Sequence, residues 1–145
     1  MSESHLKSML PAGSYAGKTV LITGGGTGLG KSVATYLASL GANIVITGRR
    51  AEVLQQTAQE MANATGAQVL AVAGDVRNIE DVERVLNESI TRFGRVDVLL
   101  NNAAGNFVSP TERLSHRAFE SVIGIVLQGT VNFTLTVGKY WIKEN

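Results

Sequence analysis

The sequence has no cysteine, only 2 prolines in 145 residues, and few charges of either sign. Charged residues make up 17%, with 13 Lys or Arg against 12 Asp or Glu. The absence of cysteine excludes a disulfide scaffold and a thiolate metal site, and it fits a reducing compartment. The two histidines are His5, in the tail, and His116, at a helix start. They give no pair at ligand spacing, so no metal centre is expected. A net charge of +1 provides no polybasic surface, and nucleic acid is not an expected partner. No apolar run approaches the ~20 residues of a membrane span. Residues 1–10 lack both the apolar core of a secretory signal and the arginines of a mitochondrial presequence. A cytoplasmic location is expected, with the mitochondrial matrix as the alternative for a processed form.

Glycine is abundant, with 16 residues, and its placement matters more than its number. An apolar run at Thr19–Thr23 meets a glycine cluster and then a helical stretch with Leu29, Val33, Leu37 and Leu40 on one stripe, ending at Gly41. A second run, Asn43–Thr47, precedes a helix with Leu54, Ala58 and Met61 on one face, ending before Gly66. A third, Gln68–Val72, precedes a helix opening at Asn78, with inner face Val82, Val85, Ser89 and Phe93 and a stop at Gly94. A fourth, Val96–Leu100, leads through a polar loop at 101–115 to a last helix starting near His116. Short, continuous Val/Ile/Leu strands alternating with helices predict an α/β Rossmann-type doubly wound parallel sheet. Residues 1–16 read as an irregular tail and 17–145 as one domain. The last helix carries a broad apolar band, from Phe119 through Val126 and Leu127 to Val137. The band covers a sheet face, and part of it is a candidate for packing on another subunit or on further chain.

Thr23-Gly24-Gly25-Gly26-Thr27-Gly28-Leu29-Gly30 stands at the first strand-to-helix turn. In that position missing side chains let a pyrophosphate reach backbone N–H groups at a helix N-terminus. The spacing is T-G-x-x-x-G-x-G, which is neither G-x-G-x-x-G nor a P-loop. A site specific for NAD would place Asp or Glu after the second strand, to hold the ribose hydroxyls. Gly48-Arg49-Arg50 stands there instead, so Arg49 is expected on a 2′-phosphate and NADPH is the expected cofactor. Asp75 and Val76 follow the third strand, at the end that faces the ligand crevice, and Asp75 is a candidate acceptor for the adenine amino group.

Together these residues resemble the short-chain dehydrogenase/reductase family over about residues 17–145. Thr23–Gly30 matches the cofactor motif, and Asn101-Asn102-Ala103-Ala104 stands where the family has N-N-A-G. The runs 101–107 and 109–115, with Ile125-Val126-Leu127 and Gly129-Thr130, are similar to the NADPH-dependent 2,4-dienoyl-CoA reductases within that family. Val126 occupies the position where most of the family carries a catalytic Asn. The resemblance implies hydride transfer from NADPH to an acyl-CoA thioester, with Asn106 as an amide donor to the developing oxyanion. It implies cofactor contacts at Asn102 and Ala103, and substrate contacts at Arg77, Phe107 and Ser115. The family's catalytic Tyr and Lys follow a fifth strand, so they are expected beyond Asn145. Tyr140 and Lys143 have the wrong spacing for those roles, and the chain reads as the N-terminal four β-α units of a longer enzyme. A homotetrameric parent is expected on the same ground. Two alternatives stand beside this reading. One is a reductase of the same fold acting on a 3-oxoacyl thioester or a ketone. The other is a non-catalytic nucleotide-binding protein, should the native chain end at Asn145.

Overall fold

The computed structural model describes residues 10–106 and 108–144. Asn145, beyond which the family's Tyr and Lys are expected, lies outside the described residues, as does His5 of the tail. Strands β1 (Thr19–Thr23), β2 (Asn43–Gly48), β3 (Val69–Ala73) and β4 (Val98–Leu100) alternate with helices α1 (Gly28–Ser39), α2 (Ala51–Thr65) and α3 (Ile79–Phe93). After β4 come a single 3₁₀ turn at Thr111–Arg113, helix α4 (His116–Ile123), a π-helical stretch at Gly124–Gln128, and α5 (Gly129–Glu144). The four strands form one parallel sheet in the order β3-β2-β1-β4. The Rossmann-type architecture is the one expected from the alternating runs.

Side chains of a strand alternate between faces, and here both faces are apolar. Val20, Ile22, Ile44 and Ile46 pack on one side with Ala34 and Ala38 of α1 and Leu54 and Met61 of α2. Leu21, Val45 and Val72 pack on the other with Val82, Val85 and Leu86 of α3 and with Phe133 and Val137 of α5. Asn78 caps α3 as expected, its Oδ1 accepting from Glu80 N at 2.9 Å and Asp81 N at 3.3 Å. Gly66 and Gly94 stop α2 and α3 in the left-handed conformation, with φ of 72° and 79°.

Four expectations need correction. Only half of the stripe Leu29, Val33, Leu37, Leu40 is buried: Leu40 lies in the core and Leu37 packs against it, but Leu29 is 79% exposed and Val33 is exposed too, and the buried positions of α1 itself are Gly30, Ala34 and Ala38. Small residues let α1 approach β1 closely, and the first turn of the stripe, Leu29 and Val33, lies off that face. β4 is regular only from Val98, although Asp97 N already donates to Thr19 O at 2.9 Å. The last part of the tail is docked, since Tyr15 N donates to Leu40 O at 3.0 Å and the ring packs on the core. Finally, the helical run His116–Glu144, 29 residues, is long and apolar enough by length and composition to cross a membrane. Here Phe133 and Val137 of that run lie in the core, and Trp141 Nε1 donates to Val96 O at 2.6 Å.

At the opposite end of the sheet from the glycine turn, Asp97 joins β1 to β4. Its carboxylate accepts from Thr19 N at 2.9 Å and pairs with Arg95 at 2.5 Å and Lys18 at 3.5 Å. Burial alone raises a carboxyl's pKa, but here the Thr19 N–H and the two cations outweigh it and hold Asp97 below its ordinary value of 3.8. A carboxyl depressed on folding stabilises the fold fully above its unfolded value. That contribution fades as pH falls below about 4 and through the folded value. Asp97→Asn should therefore lower stability at pH 7 by about 1–3 kcal/mol and flatten this acid limb. Denaturation midpoints measured from pH 7 down to pH 3 check it. An unchanged acid limb would place the titration elsewhere.

Candidate functional site

A cleft of 510 Å³ opens at the carboxyl ends of the strands, where α1 and α2 begin. Its floor is the turn between β1 and α1. Gly24 has φ of +67°, and a Cβ there would lie 3.0 Å from Ala103 Cα and Asn102 Nδ2. A Cβ on Gly30 would collide with the Gly24 carbonyl oxygen and lie 2.5 Å from Asn102 Nδ2. Gly25 is pressed against Ile46 in the same way. The glycines are thus required by close packing under the cleft as well as by anything that enters it.

Two residues lock this floor. The buried Thr23 hydroxyl accepts from Asn102 N at 3.0 Å and Ala103 N at 2.9 Å. Asn102 Nδ2 donates back to Thr23 O at 3.0 Å and Gly24 O at 3.2 Å. β1 and β4 are thereby stapled at their carboxyl ends. Thr57 of α2, 3% exposed, donates to Gly26 O at 2.8 Å and fixes the middle of the turn.

The donors left over lie at the helix start. Gly24 N and Gly25 N are occupied, both reaching Thr47 O, at 2.8 and 3.4 Å. Thr27 is extended and makes no side-chain cap, and the first helical bond is Lys31 N to Thr27 O at 3.2 Å. Gly28, Leu29 and Gly30 therefore begin α1 without an intrahelical acceptor for their N–H groups. Helices α3 and α4, which start elsewhere, are capped by Asn78 and Ser115. α2 also starts at the cleft without a side-chain cap, at Arg50. Arg49 and Arg50 line the rim, exposed, with no ion pair among the described residues.

The far wall is the loop after β3. Asp75 N donates to Asp81 Oδ2 at 2.9 Å, and the Asp75 carboxylate takes a forked bond from the Arg77 guanidinium, 2.5 Å at the shortest. Arg77, through that bond, is the chief reason Asp75 stays below its ordinary pKa despite partial burial. Val76 and Ile125 of the π-helical stretch add to the apolar lining.

The known proteins that resemble this chain fit that geometry. The short chain dehydrogenase family model matches residues 18–145. The chain belongs to that family. It is 44% identical over 137 residues to probable 2,4-dienoyl-CoA reductase 3 of Caenorhabditis elegans, covering 94% of this chain and 44% of that protein. It is 40% identical over 127 residues to a probable 2,4-dienoyl-CoA reductase of Bacillus subtilis, covering 88% of this chain and 50% of that one. A crystal structure of a short chain dehydrogenase from Bacillus anthracis superposes with a TM-score of 0.83 at 47% identity, over 88% of this chain and 53% of that one. The chain thus spans about half the length of these relatives. It resembles the dienoyl-CoA reductases, in a family of oxidoreductases that use a nicotinamide cofactor.

Within this dehydrogenase fold, Gly24, Gly26, Thr27, Leu29, Gly30, Arg49, Asp75, Val76, Asn102 and Ala103 all line the one cleft. Thr23 and Gly25 lie beneath it, and Gly28 is exposed at the helix start. Arg77 is bonded to Asp75 and is not itself among the residues lining the cleft. Asn106 is exposed on the loop after β4 and bonds to none of the described residues. Ser115 caps α4, accepting from Ala118 N at 3.1 Å, and Phe107 lies outside the described residues. Thr57, Asp81 and Asn132 were not legible as site residues. Of these, only Asp81 carried a signal, three residues after the Asn78 cap.

Proposed function

We propose that the full-length protein is an NADPH-dependent reductase of 2,4-dienoyl-CoA thioesters, acting in the β-oxidation of unsaturated fatty acids. The observation that carries this reading lies where the loop after β4 meets the π-helical stretch. A Cβ on Gly105 would lie 3.0 Å from Ile125 Cδ1, so the loop bearing Asn106 rests against the stretch bearing Val126. Val126 offers no hydrogen-bond donor where most of the family has an amide. Asn106, on the adjoining loop, supplies one. The sequence of both segments is similar to that of the dienoyl-CoA reductases, a name that the two relatives above carry.

The cleft's own residues fit the cofactor. The uncapped start of α1 binds the pyrophosphate, Arg49 binds the 2′-phosphate, Asp75 accepts from the adenine, and Val76 and Ile125 exclude water from the ring-binding end. NADPH, when bound, supplies a hydride for the δ carbon of the diene. The Asn106 amide donates to the thioester oxygen, where negative charge collects. Protonation at the α carbon leaves a trans-3-enoyl thioester. Arg77, Phe107 and Ser115 are assigned to the substrate by the same resemblance. Exposed Phe119, Ile123, Leu127, Val131 and Leu135 on the last helical run support subunit packing in a homotetramer.

The test is NADPH oxidation by the full-length protein with 2,4-hexadienoyl-CoA, with the double-bond position of the product determined. A 3-enoyl product is expected. Preference for a 3-oxoacyl thioester or a simple ketone would overturn the substrate assignment.

A further inference from the structure

The loop Asp75–Arg77 is gripped from behind by the last helix at three points. Asn132 Nδ2 donates to Val76 O at 3.0 Å and to Arg77 O at 3.4 Å, and Gln128 Nε2 donates to Asn132 Oδ1 at 3.3 Å. One turn earlier, Gly129 is so close to Val76 that a Cβ would collide with the valine side chain. At the π-helical stretch, a Cβ on Gly124 would lie 3.3 Å from Arg77 Cδ. The same run of helix brings Ile125 into the lining of the cleft.

We propose that Asn132 is a positioning residue for cofactor binding, holding the backbone of Val76 and Arg77 so that Asp75 and Val76 face the cleft at a fixed distance from Ile125. The inference rests on the cofactor reading above. Asn132 touches no ligand. It acts through the Val76 and Arg77 carbonyls, whereas the loop's own turn bond runs from Asn78 N to the Asp75 carbonyl. An unheld loop samples several positions, and binding must then order it at the expense of affinity. The effect is confined to the part of the ligand that lies against Asp75 and Val76, the adenosine half. The nicotinamide half does not report it.

That division supplies the test. In the full-length protein, Asn132→Ala should raise the dissociation constant for NADPH about tenfold, as expected for losing one well-placed hydrogen-bonded anchor. Binding of reduced nicotinamide mononucleotide, which lacks the adenosine half, should be unchanged. Gly129→Ala pushes the same loop through a different contact and should show the same split, which keeps the test intact if one variant fails to fold. Equal weakening of both ligands, or unchanged NADPH affinity in folded variants, would overturn the positioning role alone. Wild-type protein that binds no nicotinamide cofactor would overturn the cofactor reading beneath it.

Discussion

Gly30→Ala will remove cofactor binding and destabilise the domain. The added methyl meets the Gly24 carbonyl oxygen and Asn102 Nδ2, the latter at 2.5 Å. Neither can yield cheaply. The first is backbone at the tightest point of the turn, and the second is a side chain holding two hydrogen bonds, at 3.0 and 3.2 Å, between β4 and β1. Overpacking of this kind costs about 1–3 kcal/mol, and each lost bond adds about 1 kcal/mol. Relief requires α1 to move away from β1, which carries the helix-start N–H groups out of register with any phosphate. Affinity for NADPH should fall by about a hundredfold or more, equivalent to about 3 kcal/mol. Gly138→Ala is the control. A Cβ there meets nothing within 4 Å inside α5, and alanine should be neutral or stabilising by about 1 kcal/mol. Calorimetric melting and NADPH titration of both variants decide the matter. A Gly30→Ala protein with unchanged affinity would show that the turn does not shape the binding site.

The contrast between these two glycines shows what could be read without coordinates. The strand-to-helix position of 23–30 marked the turn, because periodicity locates β1 and α1 on either side of it. Which neighbours forbid a side chain at Gly30 could not be read, since Asn102 arrives from 72 positions away through the β1–β4 pairing. The same limit explains α1. Leu29 and Val33 suggested a buried stripe, but helix packing distance is set by what lies underneath. Gly30, Ala34 and Ala38 are the residues that let α1 sit low on β1.

The site was legible where a residue's role follows from its place in a β-α unit. Arg49 and Asp75 stand at the carboxyl ends of β2 and β3, and that alone puts them at the crevice. Residues whose role comes from another element were not legible. Thr57 reaches Gly26 from mid-helix, Asn132 reaches Val76 from α5, and both look like ordinary polar helix positions in one dimension. The π-helical stretch was equally hidden. It inserts a wider turn between α4 and α5, which lets Ile125 face the cleft while Phe133 and Val137 still face the core.

Arg49→Ala will cut affinity for NADPH by about 10- to 100-fold and leave NADH nearly unchanged. The reasoning is electrostatic and local. β2 ends at Gly48, and no acidic side chain stands at its end to hold ribose hydroxyls, because Glu52, in the first turn of α2, does not line the cleft. Arg49 is exposed and carries no ion pair among the described residues, so its guanidinium need not break a bond before meeting a phosphate. A forked, charge-assisted pair with phosphate contributes about 1.5–3 kcal/mol, which is the stated range in affinity. Arg50 sits beside it on the same rim, so the single variant should retain a residual preference that Arg49→Ala/Arg50→Ala removes. Because the pair is exposed, the preference should also shrink as salt is raised and the screening length shortens below about 10 Å. Parallel titrations with NADPH and NADH at low and high salt measure both effects. If wild-type protein binds the two cofactors equally, Arg49 has no phosphate to hold. If Arg49→Ala weakens both equally, its contact is with a group the two cofactors share.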